Sequence, residues 1–375
     1  MTFPRADAAA APAGRRITVM DVGGTTLRVG TFDAAAGGLL PDVRRRPVDG
    51  MARFPGSPVP ALQRRVVEQI AREAEREAAA SGSDGLSVAF AGPVGRDGTV
   101  RGAPTVWGGG GGPLPLRELL EARLPVPVLV VNDLTAGAWR YGAGSPEPFC
   151  LLTISSGIGN KVFRGGEVLL DDEGHGGELG HWTYDRSPDA PPCDCGGRGH
   201  LGALASGRGV LAAVRRAAAA DPEGYARSAP ARTAADPAAV DNPSIAAAVR
   251  AGDPFTTEVL RGTLVPLAAA IGGVFASIGI RRFVLMGGFA LAVGERYRAL
   301  LTEELLRQGC FGLTDAQIAS MVVLGADDDD HGLIGAGLLM DRRLGPAPDG
   351  TGTAGTAGTA GTPKAAERTE RVMAR

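Results

Sequence analysis

The spacing of apolar and polar positions divides the chain into short apolar runs ending in Gly, Asn or Asp, separated by longer stretches with helical period. RITVM, LRVGTF, LSVAFAG, VPVLVVN, FCLLTIS, KVFRGGEVLL, RRFVLMGG and MVVLG are β-branched and apolar, and each predicts a strand. Between them, PALQRRVVEQIAREAEREAAA sets Leu62, Val66 and Ile70 on one face with Pro60 in a first-turn position, which predicts an amphipathic helix. Strands alternating with helices predict an α/β fold. Residues from about 216 to 260 are Ala-rich with helical spacing broken by Pro and Gly, and predict a helical layer or insertion in a second lobe.

Composition narrows the class. With 375 residues, 44% hydrophobic and 21% charged, the chain can bury a sizeable core and is expected to divide into two lobes. A net charge of −2 provides no basic field for a nucleic-acid backbone, so no nucleic-acid partner is expected. The N-terminal MTFPRADAAAAPAGRR has no signal-like apolar core, and no later stretch is read as reaching the ~20 apolar residues of a membrane span. A cytoplasmic protein with no membrane partner is expected. Of four cysteines, Cys193 and Cys195 are close together while Cys150 and Cys310 lie apart, which suits a reducing compartment and points the clustered pair toward a metal. Residues 1–14 and the tail 345–375 with its GTAGTAGTAGT repeat are expected to be disordered, because such composition buries too little apolar surface to offset ordering entropy.

The candidate chemistry lies in three places. ITVMDVGGTTLRVG reads as strand, loop, strand: glycines let backbone amides approach a phosphate, Thr25 and Thr26 offer hydroxyls, and Asp21 suits Mg²⁺ held through water. An ordinary glycine-rich hairpin would carry the same residues. LLTISSGIGNKVF repeats the pattern with Ser155, Ser156, Gly157 and Gly159, and two such hairpins in one chain are more specific than one. Between them VPVLVVNDLTAGAW delivers Asn132 and Asp133 to the end of an apolar strand, where α/β folds place their chemistry. A carboxylate there suits the base that takes a proton from an attacking hydroxyl, or else a plain helix cap. His181, Cys193, Cys195 and His200, spaced H-x11-C-x-C-x4-H, match the tetrahedral N and S preferences of zinc.

The order DVGGTTLRVG, VAFAGPVGRDGTV, VVNDLTAGAW, ISSGIG, GGELGHW, CDCGGRGH, ALASG, VLMGG and GLIGAGLL, running from about Arg16 to Leu344, resembles the ROK family of repressors, open reading frames and kinases. That resemblance implies a two-lobed actin-like and hexokinase-like ATPase fold with ribonuclease H-like lobes. It implies a first lobe over 15–134 plus 325–344, and a second over 135–324 carrying the zinc loop and a homodimer surface. It implies ATP, Mg²⁺ and a structural Zn²⁺, with Asp133 as catalytic base. Asp21, Gly23, Gly24, Thr25, Thr26, Arg28, Ser155, Ser156, Gly157 and Gly159 would grip phosphate, and Gly287 and Gly288 would lie near the adenosine. The acceptor would meet Thr105, Asn132, Asp133, Glu178 and His181, with one His181 nitrogen on zinc and the other toward the substrate.

Several positions depart from the family pattern. Family members usually carry a third cysteine where this chain has His200, an Asn near Thr105, and a second Glu at Gly202 that contacts the anomeric end of a sugar. Losing those polar groups argues against a site shaped for glucose, since an unpaired buried polar group costs ~1–3 kcal/mol. The favoured reading is an ATP-dependent kinase of the C7-cyclitol 7-kinase subgroup, acting on the primary hydroxyl of a valienone, validone or valiolone type of carbocycle in aminocyclitol antibiotic biosynthesis. The alternatives are a glucokinase and a noncatalytic sugar-sensing regulator; a regulator of this family carries a helix-turn-helix before the first loop, for which about fifteen residues are too few. Trp107 is expected either over an apolar ring face or in the core, Gly108–Gly112 as a mobile loop beside the pocket or a linker, and Lys161 at a phosphate or pointing to water, the latter slightly favoured.

Overall fold

The computed structural model describes residues 14–145 and 147–345; the two expected disordered ends fall almost wholly outside them. All eight apolar runs form strands, and they assemble into two sheets. The first contains β1 (Arg16–Val22), β2 (Thr26–Asp33), β3 (Gly38–Leu39), β4 (Arg44–Pro47), β5 (Leu86–Phe90) and β6 (Val128–Asn132), in the order β3-β2-β1-β5-β6 with β4 also on β2. The second contains β7 (Phe149–Ile154), β8 (Ile158–Arg164), β9 (Glu167–Val168), β10 (Phe283–Met286) and β11 (Val322–Leu324), in the order β11-β10-β7-β8-β9. The orders are equivalent. In each sheet an antiparallel hairpin opens the unit, and two later strands join its first strand in parallel on the other side. The run KVFRGGEVLL is not one strand: Gly165 and Gly166 adopt φ of 63° and 82° and turn β8 back into β9.

Among the described residues twelve α-helices cover the sheets: α1 (Val59–Ser81), α2 (Leu116–Glu121), α3 (Asp133–Gly142), α4 (Leu201–Ala205), α5 (Gly207–Ala220), α6 (Pro222–Arg227), α7 (Asn242–Arg250), α8 (Pro254–Ile278), α9 (Gly288–Val293), α10 (Glu295–Gln308), α11 (Asp315–Ala319) and α12 (His331–Leu344). The predicted amphipathic helix is α1, whose Leu62, Val66 and Ile70 lie in one core with β1, β2 and β5. The Ala-rich stretch forms α5 to α8 over the second sheet. By length and apolar composition α8 reaches that of a membrane span, contrary to the expectation from sequence. Its Leu260, Leu264, Leu267 and Ile271 are buried in the second core, which accounts for the apolar run.

Two helices tie the units together. α12 packs on α3 and across β1, β2 and β5, while α3 also meets β7 and β8. The glycines of GLIGAGLL make this close approach possible: a Cβ on Gly337 would enter the Phe32 ring, and one on Gly335 would enter the Ala136 carbonyl.

Candidate active site

A cleft of about 1480 Å³ opens between the two sheets, and the first turn of α3 forms part of its wall. Strand β6 ends at Asn132, whose side chain caps α3 by accepting from Leu134 and Thr135 backbone N–H at 3.1 Å each. Asn132 Nδ2 donates to the Gly92 carbonyl at 3.0 Å and to Asp133 Oδ1 at 2.8 Å, and the Leu134 N–H adds a second contact to that same Asp133 oxygen at 2.9 Å. The cap role that sequence left open for Asp133 therefore falls to its neighbour. Asp133 has one oxygen fixed from two sides, while Oδ2 has no partner among the described residues and the residue lines the cleft. Burial, helped by the nearby Asp21 carboxylate, pushes its carboxyl up to about 7. An oriented carboxyl that titrates near neutrality fits a general base.

The two glycine hairpins face this base from opposite sheets. In the first, Asp21 lies directly across the ladder from Arg28, and their side chains pair. Burial raises the Asp21 carboxyl above the ordinary range, and Arg28 opposes the rise. Both line the cleft. Gly23, Gly24, Thr25 and Thr26 stand outside its lining, with both threonines exposed, and Gly24 packs so closely on the Thr105 backbone that a Cβ would come within 2.7 Å of its carbonyl oxygen. In the second hairpin Ser155, Ser156, Gly157 and Gly159 all line the cleft. Arg208 joins them, donating to the Ser156 carbonyl at 2.6 Å and pairing with Asp194 of the cysteine loop. Gly287 and Gly288 line the far end of the cleft with Arg250 and Arg296. Gly287 has φ of 97°, and a Cβ there would lie 2.7 Å from Ile154 N, so β10 can pass to α9 against the second hairpin only through glycine.

The proposed metal ligands converge. One ligand atom each from His181, Cys193, Cys195 and His200 lies within 4.8 Å of the other three. Cys193 Sγ is 3.8 Å from His181 Nδ1, and Cys195 Sγ is 3.3 Å from His200 Nδ1. Two thiols and two imidazoles at this separation fit tetrahedral zinc. His181 also borders the cleft, so the loop that gathers these ligands forms part of the cleft wall.

A family model described as the ROK family matches residues 17–343. The chain belongs to the ROK family. It is 52% identical over 333 residues to a C(7)-cyclitol 7-kinase of Streptomyces hygroscopicus subsp. jinggangensis, a match covering 88% of this chain and 95% of the relative. It is 29% identical to a 2-epi-5-epi-valiolone 7-kinase of an Actinoplanes species, over 90% of this chain and 96% of that protein. Among solved structures, the ROK hexokinase of Thermus thermophilus superposes with a TM-score of 0.65 at 29% identity, covering 88% of this chain and 100% of that one. The two-lobed hexokinase-like expectation is borne out.

The structure decides four positions that sequence left open or placed elsewhere. Lys161 neither points to water nor lies in the cleft lining: it is 4% exposed, donates to the Gly176 carbonyl, and sits in the fields of Asp133 and Glu178. Burial lowers its affinity for a proton, and those two carboxylates oppose the effect. With Asn160 Oδ1 accepting from Leu179 N–H at 3.0 Å, Lys161 fastens β8 to the GGELGH segment. Trp107 is a core residue, 2% exposed and 5.5 Å from the Phe90 ring. The Gly108–Gly112 run packs along α1, where Gln63 Nε2 donates to the Gly112 carbonyl at 2.9 Å, and it does not line the cleft. Glu178, expected at the acceptor, is absent from the cleft lining and borders a separate pocket with Trp182 and α8, while its charge bears on Lys161. Thr105 lines the cleft as expected, and a Cβ at Gly202 would lie 3.0 Å from the Gly180 carbonyl, so the GGELGH turn occupies the space where a longer side chain would begin. The sequence reading missed Arg208, Arg250, Arg296 and His331 in the cleft wall. Helical arginines carry no spacing signal, but His331, one of only four histidines, was visible.

Proposed function

We propose that this chain transfers the γ-phosphoryl group of MgATP to the primary hydroxyl of a C7-cyclitol, giving the 7-phosphate. The observation that carries the reading is Asp133: one carboxylate oxygen is locked by Asn132 and the α3 backbone, and the other is free at the cleft wall between two glycine hairpins. The nucleotide and its Mg²⁺ supply the transferable group and neutralise its charge. Asp133 Oδ2 takes the proton of the attacking hydroxyl, and its upward shift keeps proton affinity close to working pH. Ser155 and Ser156 offer hydroxyls to the phosphates, and Arg28 adds positive charge beside Asp21. His181 and Thr105 border the acceptor end.

The choice of a carbocyclic acceptor is supported by the two curated relatives named for cyclitol and valiolone kinases, and by glycine at 202 where a sugar kinase would place a carboxylate. The His181, Cys193, Cys195 and His200 donor set supports one structural zinc per chain, holding the loop that presents His181. The exposed Trp182, Tyr184 and Ile278, at 41%, 39% and 40% exposure, support a homodimer face near α8. Light scattering of the purified chain should give twice the chain mass, and a monomer at micromolar concentration would contradict that face. The test of the reaction is incubation with MgATP and validone followed by phosphorus and carbon NMR. A phosphate ester on the exocyclic carbon is expected; ADP release without that ester would contradict the proposal.

A further inference from the structure

His331 opens α12 at the base of the cleft, beside the Asp21–Arg28 pair. It is 5% exposed and its ring is held by two residues of α3. Tyr141 Oη lies 2.8 Å from Nδ1 and Arg140 Nη1 lies 3.3 Å from it. A guanidinium has only donors. The Tyr141 hydroxyl already accepts from the Ala326 N–H at 3.0 Å and has its own proton to offer the ring. The guanidinium thus requires Nδ1 to be the acceptor, a role the Tyr141 proton also suits, which puts the ring proton on Nε2. Burial and the Arg140 charge also disfavour the imidazolium, so the ring is neutral and its tautomer is fixed. Arg140 is itself anchored by Asp328 through two contacts of 2.5 and 2.7 Å.

That leaves Nε2–H as a buried donor with no partner among the described residues. The nearby Arg28 has the same defect: its Nη2 pairs with Asp21, and its Nη1 is buried and unpaired. A buried donor left unmade costs ~1–3 kcal/mol, and two such donors from the wall of one cleft call for a common acceptor. The acceptor must be rich in lone pairs and must arrive as the cleft closes over its ligand.

We propose that His331 is a phosphoryl-positioning residue, with Nε2–H donating to an oxygen of the nucleotide's terminal phosphate while Arg28 Nη1 donates to the same group. The inference rests on the kinase reading above and adds to it a contact that acts on the γ-phosphate alone. Tyr141 and Arg140 serve it indirectly, by holding the tautomer.

Binding of MgAMPPNP and MgADP to wild type, His331→Ala, His331→Gln and Tyr141→Phe tests this. His331→Ala should lose about tenfold in MgAMPPNP affinity and less than twofold in MgADP affinity, the size expected for one hydrogen bond. His331→Gln, whose amide nitrogen can stand in for Nε2, should recover most of the loss. Tyr141→Phe should lose part of it, because Nδ1 then has one donor fewer. In the wild-type chain, ¹⁵N NMR should show a proton on His331 Nε2 whose signal moves with MgAMPPNP and stays with MgADP, a readout independent of variant folding. Equal loss for both nucleotides, no loss for either, or a proton on Nδ1 would overturn the proposal while leaving the kinase reading intact. A wild-type chain that bound neither nucleotide would overturn both.

Discussion

The hairpins β1–β2 and β7–β8 hold the same place in two sheets of equivalent strand order, yet one is charged at its root and the other is not. Counted back from the turn, Asp21 opposite Arg28 corresponds to Thr153 opposite Gly159. In the first hairpin the paired charges, crowded by burial, sit at the cleft floor next to Asp133. In the second, a Cβ on Gly159 would lie 2.5 Å from Leu134 Cδ1, so the pair is kept bare and α3 leans directly on the strand. Its charge appears two residues along the strand, as Lys161 bonded to the Gly176 carbonyl of the GGELGH segment. Two units of equivalent strand order thus differ at the cleft: the first sets paired charge in its wall, and the second lines it with the small residues Ser155, Ser156, Gly157 and Gly159.

That division can be broken most severely at the residue both hairpins face. Asp133→Asn should lower kcat by about a thousandfold or more, the range of general-base catalysis, in a coupled assay for ADP. Its effect on stability has the opposite sign. The folded carboxyl is raised from 3.8 to about 7, so the native state binds the proton more tightly than the unfolded chain; the residue favours folding at acid pH, and that contribution is lost as pH rises through about 7. At pH 8 the variant should therefore melt at or above the wild-type Tm, and a large fall in Tm would mean that Asp133 is structural. In the wild type, kcat/KM should climb with pH through about 7 as the carboxyl ionises.

Removing charge from the first hairpin comes next. Asp21→Asn should cost about a hundredfold in kcat with the acceptor KM changed little, because the loss falls on the phosphoryl side. The second unit should respond differently. Cys195→Ser should lower zinc content from one per chain by metal analysis, and raise the acceptor KM more than the ATP KM, since His181 belongs to the same ligand set and the acceptor wall. Smallest is Lys161→Met. Lys161 draws the Asp133 carboxyl downward, so its removal should move the acid limb of the pH profile upward and lower kcat/KM at pH 7 by roughly three- to tenfold, with Lys161→Arg retaining the wild-type profile. An unmoved profile would detach the second hairpin from the base.

The parts legible in sequence were those written in local pattern. Strands buried on both faces concentrate apolar residues, as β5 and β7 do, so their positions could be read directly. The Cys and His loop was legible because its donors lie within twenty residues of one another. What escaped depends on contacts distant in sequence. The Tyr141–His331 bond spans 190 residues, and nothing near either end announces it. Lys161 reaches Gly176 across a hairpin and a loop, so its spacing gave no hint that it was buried. Trp107 was ambiguous because a large aromatic next to a glycine run suits a pocket and a core equally, and its packing on Phe90 decides for the core.

The central claim, phosphoryl transfer to a carbocycle and not to glucose, is tested most directly by kcat/KM for validone, valienone, glucose and mannose under one saturating concentration of MgATP. The account predicts that a C7-cyclitol exceeds glucose by at least about a hundredfold, as expected when the polar partners a hexose needs at Thr105 and Gly202 are missing. Glucose turned over as efficiently as the best cyclitol would contradict it.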